Sequence, residues 1–133
     1  MPHKHDIEKH ILSNLVSIQL IIGQNKNYRR IKMIKTKFGG FKITFKNGYT
    51  ISVINGFGSY SENHFNTKLC KKMNNNNIKY FDMCKSKDCE VAVFYEDIFC
   101  TDRFIETDDS VKGWITADEL ADLITKVKNA EKI

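Results

Sequence analysis

Long hydrophobic runs, arginines and a recognisable catalytic motif are what this chain lacks. No apolar stretch approaches the ~20 residues that a bilayer-spanning helix needs, and no charged leader followed by an apolar core and a small-residue cleavage site opens the sequence. Both absences point to a soluble, intracellular protein with no membrane partner. Arginine occurs only as Arg29, Arg30 and Arg103, so any fixed, planar contact to phosphate or carboxylate must come from these, because lysine offers a point charge on a flexible stem. The four cysteines, Cys70, Cys84, Cys89 and Cys100, are spaced too loosely for a pair of zinc knuckles. Without a secretion signal they read as free thiols. Pro2 removes a backbone amide that a terminal copper site around His3, His5 and His10 would need, and His64 stands alone. The expectation is a protein with neither metal nor cofactor.

Nucleophilic catalysis is missing too. Ser59, within Gly56-Phe57-Gly58-Ser59-Tyr60, has no following glycine and no strand-turn-helix setting, so it does not form a nucleophile elbow. No cysteine has a convincing histidine pairing context. The acid pairs Asp108-Asp109 and Asp118-Glu119 suit the approach and cap of a helix better than acid–base work. The chain reads as a binding protein, not an enzyme.

What is present is patterning. With 133 residues, 41% hydrophobic and 11% aromatic, the chain suits a single domain with one real core, residues 1–40 being a helix plus a basic strand extension and 41–133 the core. Ile7, Ile11, Leu15, Ile18 and Ile22 recur at helical spacing between a capping Asp6 and a terminating Gly23. Tyr28 to Lys37 reads as extended. Phe41, Ile43 and Phe45 alternate with polar residues, as do Tyr49, Ile51 and Val53, across the turn pair Asn47-Gly48. Lys71 to Lys79, KKMNNNNIK, reads as an exposed loop. Glu90 to Tyr95 reads as a strand buried on both sides, with Glu96-Asp97 turning it into a short partner through Ile98 to Cys100. Thr116 and Glu119 form a capping box that opens a helix with the apolar stripe Leu120, Leu123, Ile124 and Val127. Trp114 and Ile115 anchor that helix to the sheet. The fold class expected is α+β: an antiparallel β-sheet with an N-terminal and a C-terminal α-helix.

Charge is unevenly placed within the net +5. From Gln24 to Gly48 there are eight basic residues and no acidic one, whereas from Thr101 onward eight acids face five bases. Such opposition steers an anionic ligand to one face, or lets one subunit's basic part meet another's acidic part. The glycine loop after the hairpin is the candidate binding site. Gly56 and Gly58 allow close backbone approach, Ser59, Ser61 and Asn63 offer donors, and Phe57 and Tyr60 offer faces for a base to stack on. Arg29, Arg30 and Arg103 are the candidate phosphate contacts. The loop has neither the lysine nor the spacing of a P-loop.

The series FKITFKNGYTISVINGFGSYSEN, EVAVF and DDSVKGWITADELADLI resembles small phage-encoded accessory and anti-defence proteins over about Phe41 to Lys126. That group includes sponges of the Thoeris anti-defence type, which sequester nucleotide immune signals, and anti-CRISPR proteins. The resemblance implies an oligomeric protein of the host cytoplasm that captures a cyclic ADP-ribose isomer or cyclic oligonucleotide without cleaving it; the first helix, hydrophobic and outside the shared region, is the expected assembly surface. The alternative it implies is an anti-CRISPR or other inhibitor that binds a host defence nuclease or its nucleic acid through the basic stretch 24–48. It assigns no site residue by itself.

Overall fold

The computed structural model describes residues 32–132. The chain divides into two compact units, Met1–Ile31 and Lys32–Ile133, so the expected helix over 6–22, the start of the extended segment, Arg29 and Arg30 lie outside the described residues. The described part of the second unit is α+β: six antiparallel-paired strands and two helices. The strands are β1 (Met33–Lys37), β2 (Gly40–Thr44), β3 (Tyr49–Ile54), β4 (Asp88–Tyr95), β5 (Ile98–Phe99) and β6 (Lys112–Thr116). The helices are α1 (Thr67–Asn74) and α2 (Ala117–Lys128). The sheet order is β1-β2-β3-β4-β5, and β6 pairs with β4 on the edge that β5 also occupies. Among the described residues no helix is long and apolar enough to cross a membrane.

The alternation in the hairpin does what a period of two dictates. Tyr49, Ile51 and Val53 point to one face and are buried, and their partners Val91 and Val93 on β4 are fully buried with them. Cys89, Ile115 and Phe104 extend this core, and α2 seals it with Leu123 and Val127. Burying side chains of this size contributes about 1.5–3 kcal/mol each. Tyr49 is the hub, meeting Tyr95 and Phe104 edge to face at 5.1 and 5.2 Å.

Between β2 and β3 only Gly48 takes positive φ, at 92°. The turn is closed by Gly48 N–H donating to Phe45 O at 3.0 Å, the longer hairpin connection with a left-handed glycine instead of a two-residue turn. Asn47 is thereby free to reach the end of α2, where its Nδ2 donates to Val127 O at 2.8 Å and Ala130 O at 2.9 Å. These contacts satisfy carbonyls that the helix end leaves open. At the other end the capping box forms as expected: Glu119 N–H donates to Thr116 Oγ1, and Thr116 N–H donates to Glu119 Oε1 at 3.2 Å.

Two expectations need correction. Residues 71–79 are not wholly loop, because α1 runs to Asn74: Asn66 caps it, accepting Leu69 N–H at 3.1 Å. β4 is buried on both faces only at its centre: Cys89, Val91 and Val93 lie in the core and Ala92 is buried on the other face, where Glu90 and Phe94 stay partly exposed. All four cysteines are free. Burial pushes the Cys89 thiol up to about 11, so it is a neutral core group. Among the described residues no three His, Cys, Asp or Glu side chains converge as metal ligands do.

Candidate functional site

The glycine loop is folded on itself. Ser59, Ser61 and Asn63 are buried. Ser59 Oγ donates to Gly56 O at 2.6 Å and shares a 2.7 Å hydrogen bond with Ser61 Oγ. Asn63 Nδ2 donates to Asn55 O at 2.8 Å and Lys85 O at 2.9 Å. These groups satisfy one another and the backbone, as buried polar atoms must. Gly56 is buried against Gly39, where a Cβ on Gly39 would lie 3.1 Å from Gly56 Cα, and Gly58 takes φ +84° in open space. Both glycines thus serve the loop's conformation. Of the expected ligand contacts, Phe57 and Tyr60 present exposed rings.

Arg103 sits elsewhere. It follows β5 in a short 3-10 turn, Thr101–Arg103, close enough to Tyr49 for its charge to bear on that phenol, whose pKa burial raises. Tyr49 opens β3 and Gly56 lies beyond its far end, a separation of about 17 Å over five strand residues. The structure therefore does not gather Arg103 with the glycine loop inside one subunit.

What the loop does build is an aromatic stack. The Tyr60 ring lies between His64 and Trp114, with centroids at 5.5 and 5.7 Å and interplanar angles of 26° and 18°. Phe65 meets His64 edge-on at 4.3 Å. Trp114 N–H donates to Tyr60 O at 2.8 Å, and a Cβ on the preceding Gly113 would lie 2.4 Å from Tyr60 Cβ, so only glycine lets β6 come this close. Trp114 takes φ +52°, a left-handed conformation that costs a non-glycine residue about 1–2 kcal/mol. It is 58% exposed; its ring covers little core. Trp114 does not anchor the helix to the sheet as expected; Ile115, 1% exposed, does so alone.

Register then places the second half of the site. Residues directly opposed across antiparallel strands share a face. On the face away from the core one row reads Lys35, Lys42, Ser52, Ala92; the next reads Met33, Thr44, Thr50, Phe94, Phe99. Lys37 opposes Gly40, Gly40 opposes Ile54, and Ile54 opposes Glu90. Phe94 and Phe99 lie 4.4 Å apart, and Lys42 Nζ stands 5.7 Å above the Phe94 ring. Thr44 and Thr50 share a 2.9 Å hydroxyl contact. The carboxylates of this face are engaged by the loop: Asp88 Oδ1 accepts Glu62 N–H at 2.7 Å and Glu90 Oε1 accepts Tyr60 N–H at 3.0 Å. The loop thereby closes one end of the face and sets the Tyr60–Trp114 stack on the same β4 edge as Phe99, about 13 Å away, four strand residues along. Aromatic rings line that edge and lysines line the β1–β2 edge.

Chemically, rings at two positions can accept stacked flat groups, lysines can neutralise phosphates, and Thr and Ser hydroxyls can add hydrogen bonds. Neither Trp114 nor the Phe94–Phe99 pair stands out in the sequence as a ligand contact, although Lys35, Lys37 and Lys42 are visible within the basic stretch. The signal for Trp114 is the glycine before it in a strand that ends at a helix cap.

No family model matches the chain, and no curated protein or solved structure shows significant similarity to it.

Proposed function

We propose that this protein is a non-enzymatic binding module that takes single-stranded nucleic acid across the open face of its sheet. The observation that carries the reading is the direct opposition of Lys35 and Lys42, with Lys37 beside them and no ion pair to a carboxylate for any of the three among the described residues. Like charges directly opposite on a sheet destabilise it. A fold that keeps such a pair beside exposed aromatic rings supports a polyanion as the ligand of this face. A flat face with splayed rings selects unpaired strands over duplex, whose bases are already stacked.

This is the nucleic-acid branch of what the resemblance implies, carried by the β1–β2 part of the basic stretch. In that setting the protein acts in the host cytoplasm by covering a strand that a defence nuclease uses. Nucleotide capture in the glycine loop has less support, because Ser59 and Asn63 are engaged internally and Arg103 lies at the other end of β3.

Fluorescence anisotropy with a labelled single-stranded oligonucleotide, titrated from about 50 to 200 mM salt, tests the proposal. Three phosphate contacts to lysine give a slope of log K against log salt that falls by about 2 in the triple variant Lys35→Ala, Lys37→Ala, Lys42→Ala. Phe99→Ala lowers affinity by about 1–3 kcal/mol without changing that slope. Equal binding of parent and triple variant, or no binding at low salt, overturns the proposal.

A further inference from the structure

The geometry points to a second binding surface, at the turn Lys79-Tyr80-Phe81-Asp82, that docks the protein on an anionic lipid bilayer. The turn is built, not loose. Asp82 N–H donates to Lys79 O at 2.9 Å, Lys79 N–H donates back to Asp82 Oδ2 at 2.8 Å, and Lys72 Nζ on α1 pairs with the same carboxylate at 3.0 Å. These contacts hold Asp82's pKa below the usual carboxylate range. They fix the two central residues at the tip, where Tyr80 is 100% exposed and Phe81 63%, their rings edge to face at 5.4 Å. Met83 beside them is 78% exposed.

A small domain that orders a turn in order to hold two rings and a methionine in water presents them to a partner. Rings this exposed fit a deformable interface, where phenol and phenyl groups settle at headgroup depth. Charge complementarity selects the lipid. Between Thr67 and Lys87 the chain carries Lys68, Lys71, Lys72, Lys79, Lys85 and Lys87 against the single acid Asp82, which Lys72 already neutralises. Lysine stems lie along apolar surface while their ammonium groups stay at the headgroups. Each lysine near an anionic leaflet raises binding about fivefold. The surface shares no residue with the aromatic and lysine edges of the open face.

Flotation of the full chain with large unilamellar vesicles of phosphatidylcholine containing about 30% phosphatidylserine, against phosphatidylcholine alone, tests this. Binding to the first and not the second is expected, with release at high salt. The variant Tyr80→Ser, Phe81→Ser, Met83→Ser, its fold checked by circular dichroism, is expected to lose at least about tenfold in partitioning. Lys35→Ala, Lys37→Ala, Lys42→Ala is expected to keep it. In Tyr80→Trp, brominated lipid is expected to quench the new indole while the parent's Trp114 stays unquenched. Absence of binding to phosphatidylserine vesicles, equal partitioning of the serine variant, or an unquenched Trp at 80 overturns the inference. So does a serine variant that loses oligonucleotide binding while keeping vesicles, which would assign the tip to nucleic acid.

Discussion

Under the proposed function, Gly113 and Trp114 separate stability from binding within two residues. A methyl group at position 113 meets Tyr60 Cβ at 2.4 Å and Tyr60 O at 2.9 Å, the latter a backbone atom that cannot swing aside. Gly113→Ala therefore displaces the whole loop from β6, and urea unfolding should show a loss of about 1–3 kcal/mol. Trp114→Gly does the reverse. It removes a stacking contact worth about 0.5–1.5 kcal/mol but relieves a left-handed backbone that costs about 1–2 kcal/mol. Its unfolding free energy should stay within about 1 kcal/mol of the parent, while single-strand affinity falls about fivefold or more through the lost ring. A Trp114→Gly protein that unfolds early and binds normally would show the ring to be a structural peg. Neither role is legible in the sequence, where Trp114 reads as an anchor for α2, because the sign of φ at one residue leaves no mark in composition. The same limit applies to Ser59 and Asn63. As residue types they are ligand donors, but in a tight loop short polar side chains bond the nearest backbone first.

At the scale of elements, α2 shows how far local chemistry carries. Its cap, stripe and end were all visible in Thr116, Glu119 and Leu120 to Val127, since each acts within a turn or two of itself. Glu119's carboxyl is held below its ordinary range by hydrogen bonds from Thr116. A lowered carboxyl pKa stabilises the fold above the ordinary Glu value and loses that contribution as pH falls through the folded one. Thr116→Ala should cost about 1 kcal/mol at neutral pH, and a series of urea melts at descending acid pH should bring parent and variant closer together. Curves that stay parallel would mean the box does not form in solution. The hairpin and β4 were legible for the same reason, their period of two being a local property. α1 and β6 were not. The helix hides in an asparagine-rich run because its support is the Asn66 cap and Met73 lying beside Gly56, the second a contact distant in sequence. β6 is short and irregular in register against Cys89 and Val91, so it never alternates long enough to read as a strand. Even the lysines of the basic stretch reveal nothing until register sets Lys35 opposite Lys42.

At the scale of the whole described unit, the sheet has one face covered by the core and α2 and a second that carries Lys35, Lys42, Phe94 and Phe99. On the proposed reading the second face takes the strand, and the Tyr80–Phe81 tip lies at one end of the sheet, where Met83, Asp82 and Cys84 line a cleft of about 270 Å³ with Lys37, Phe38 and Gly39. A ligand lying across the strands uses the flat of the sheet, whereas a bilayer meets only its end. The two surfaces should therefore work together. Labelled oligonucleotide should float with phosphatidylserine-containing vesicles only when the protein is present, and either the lysine triple variant or the serine tip variant should abolish that co-flotation while sparing one of the two separate bindings. Hydrogen exchange should agree. The strand should slow amides from Met33 to Thr44, vesicles should slow those from Lys79 to Met83, and the central amides of Ile51 and Val93, deep in the core, should exchange slowest with or without either. Oligonucleotide released on vesicle binding would mean that the strand reaches past Lys37 onto the tip, and the two surfaces would then be one continuous anion-binding edge.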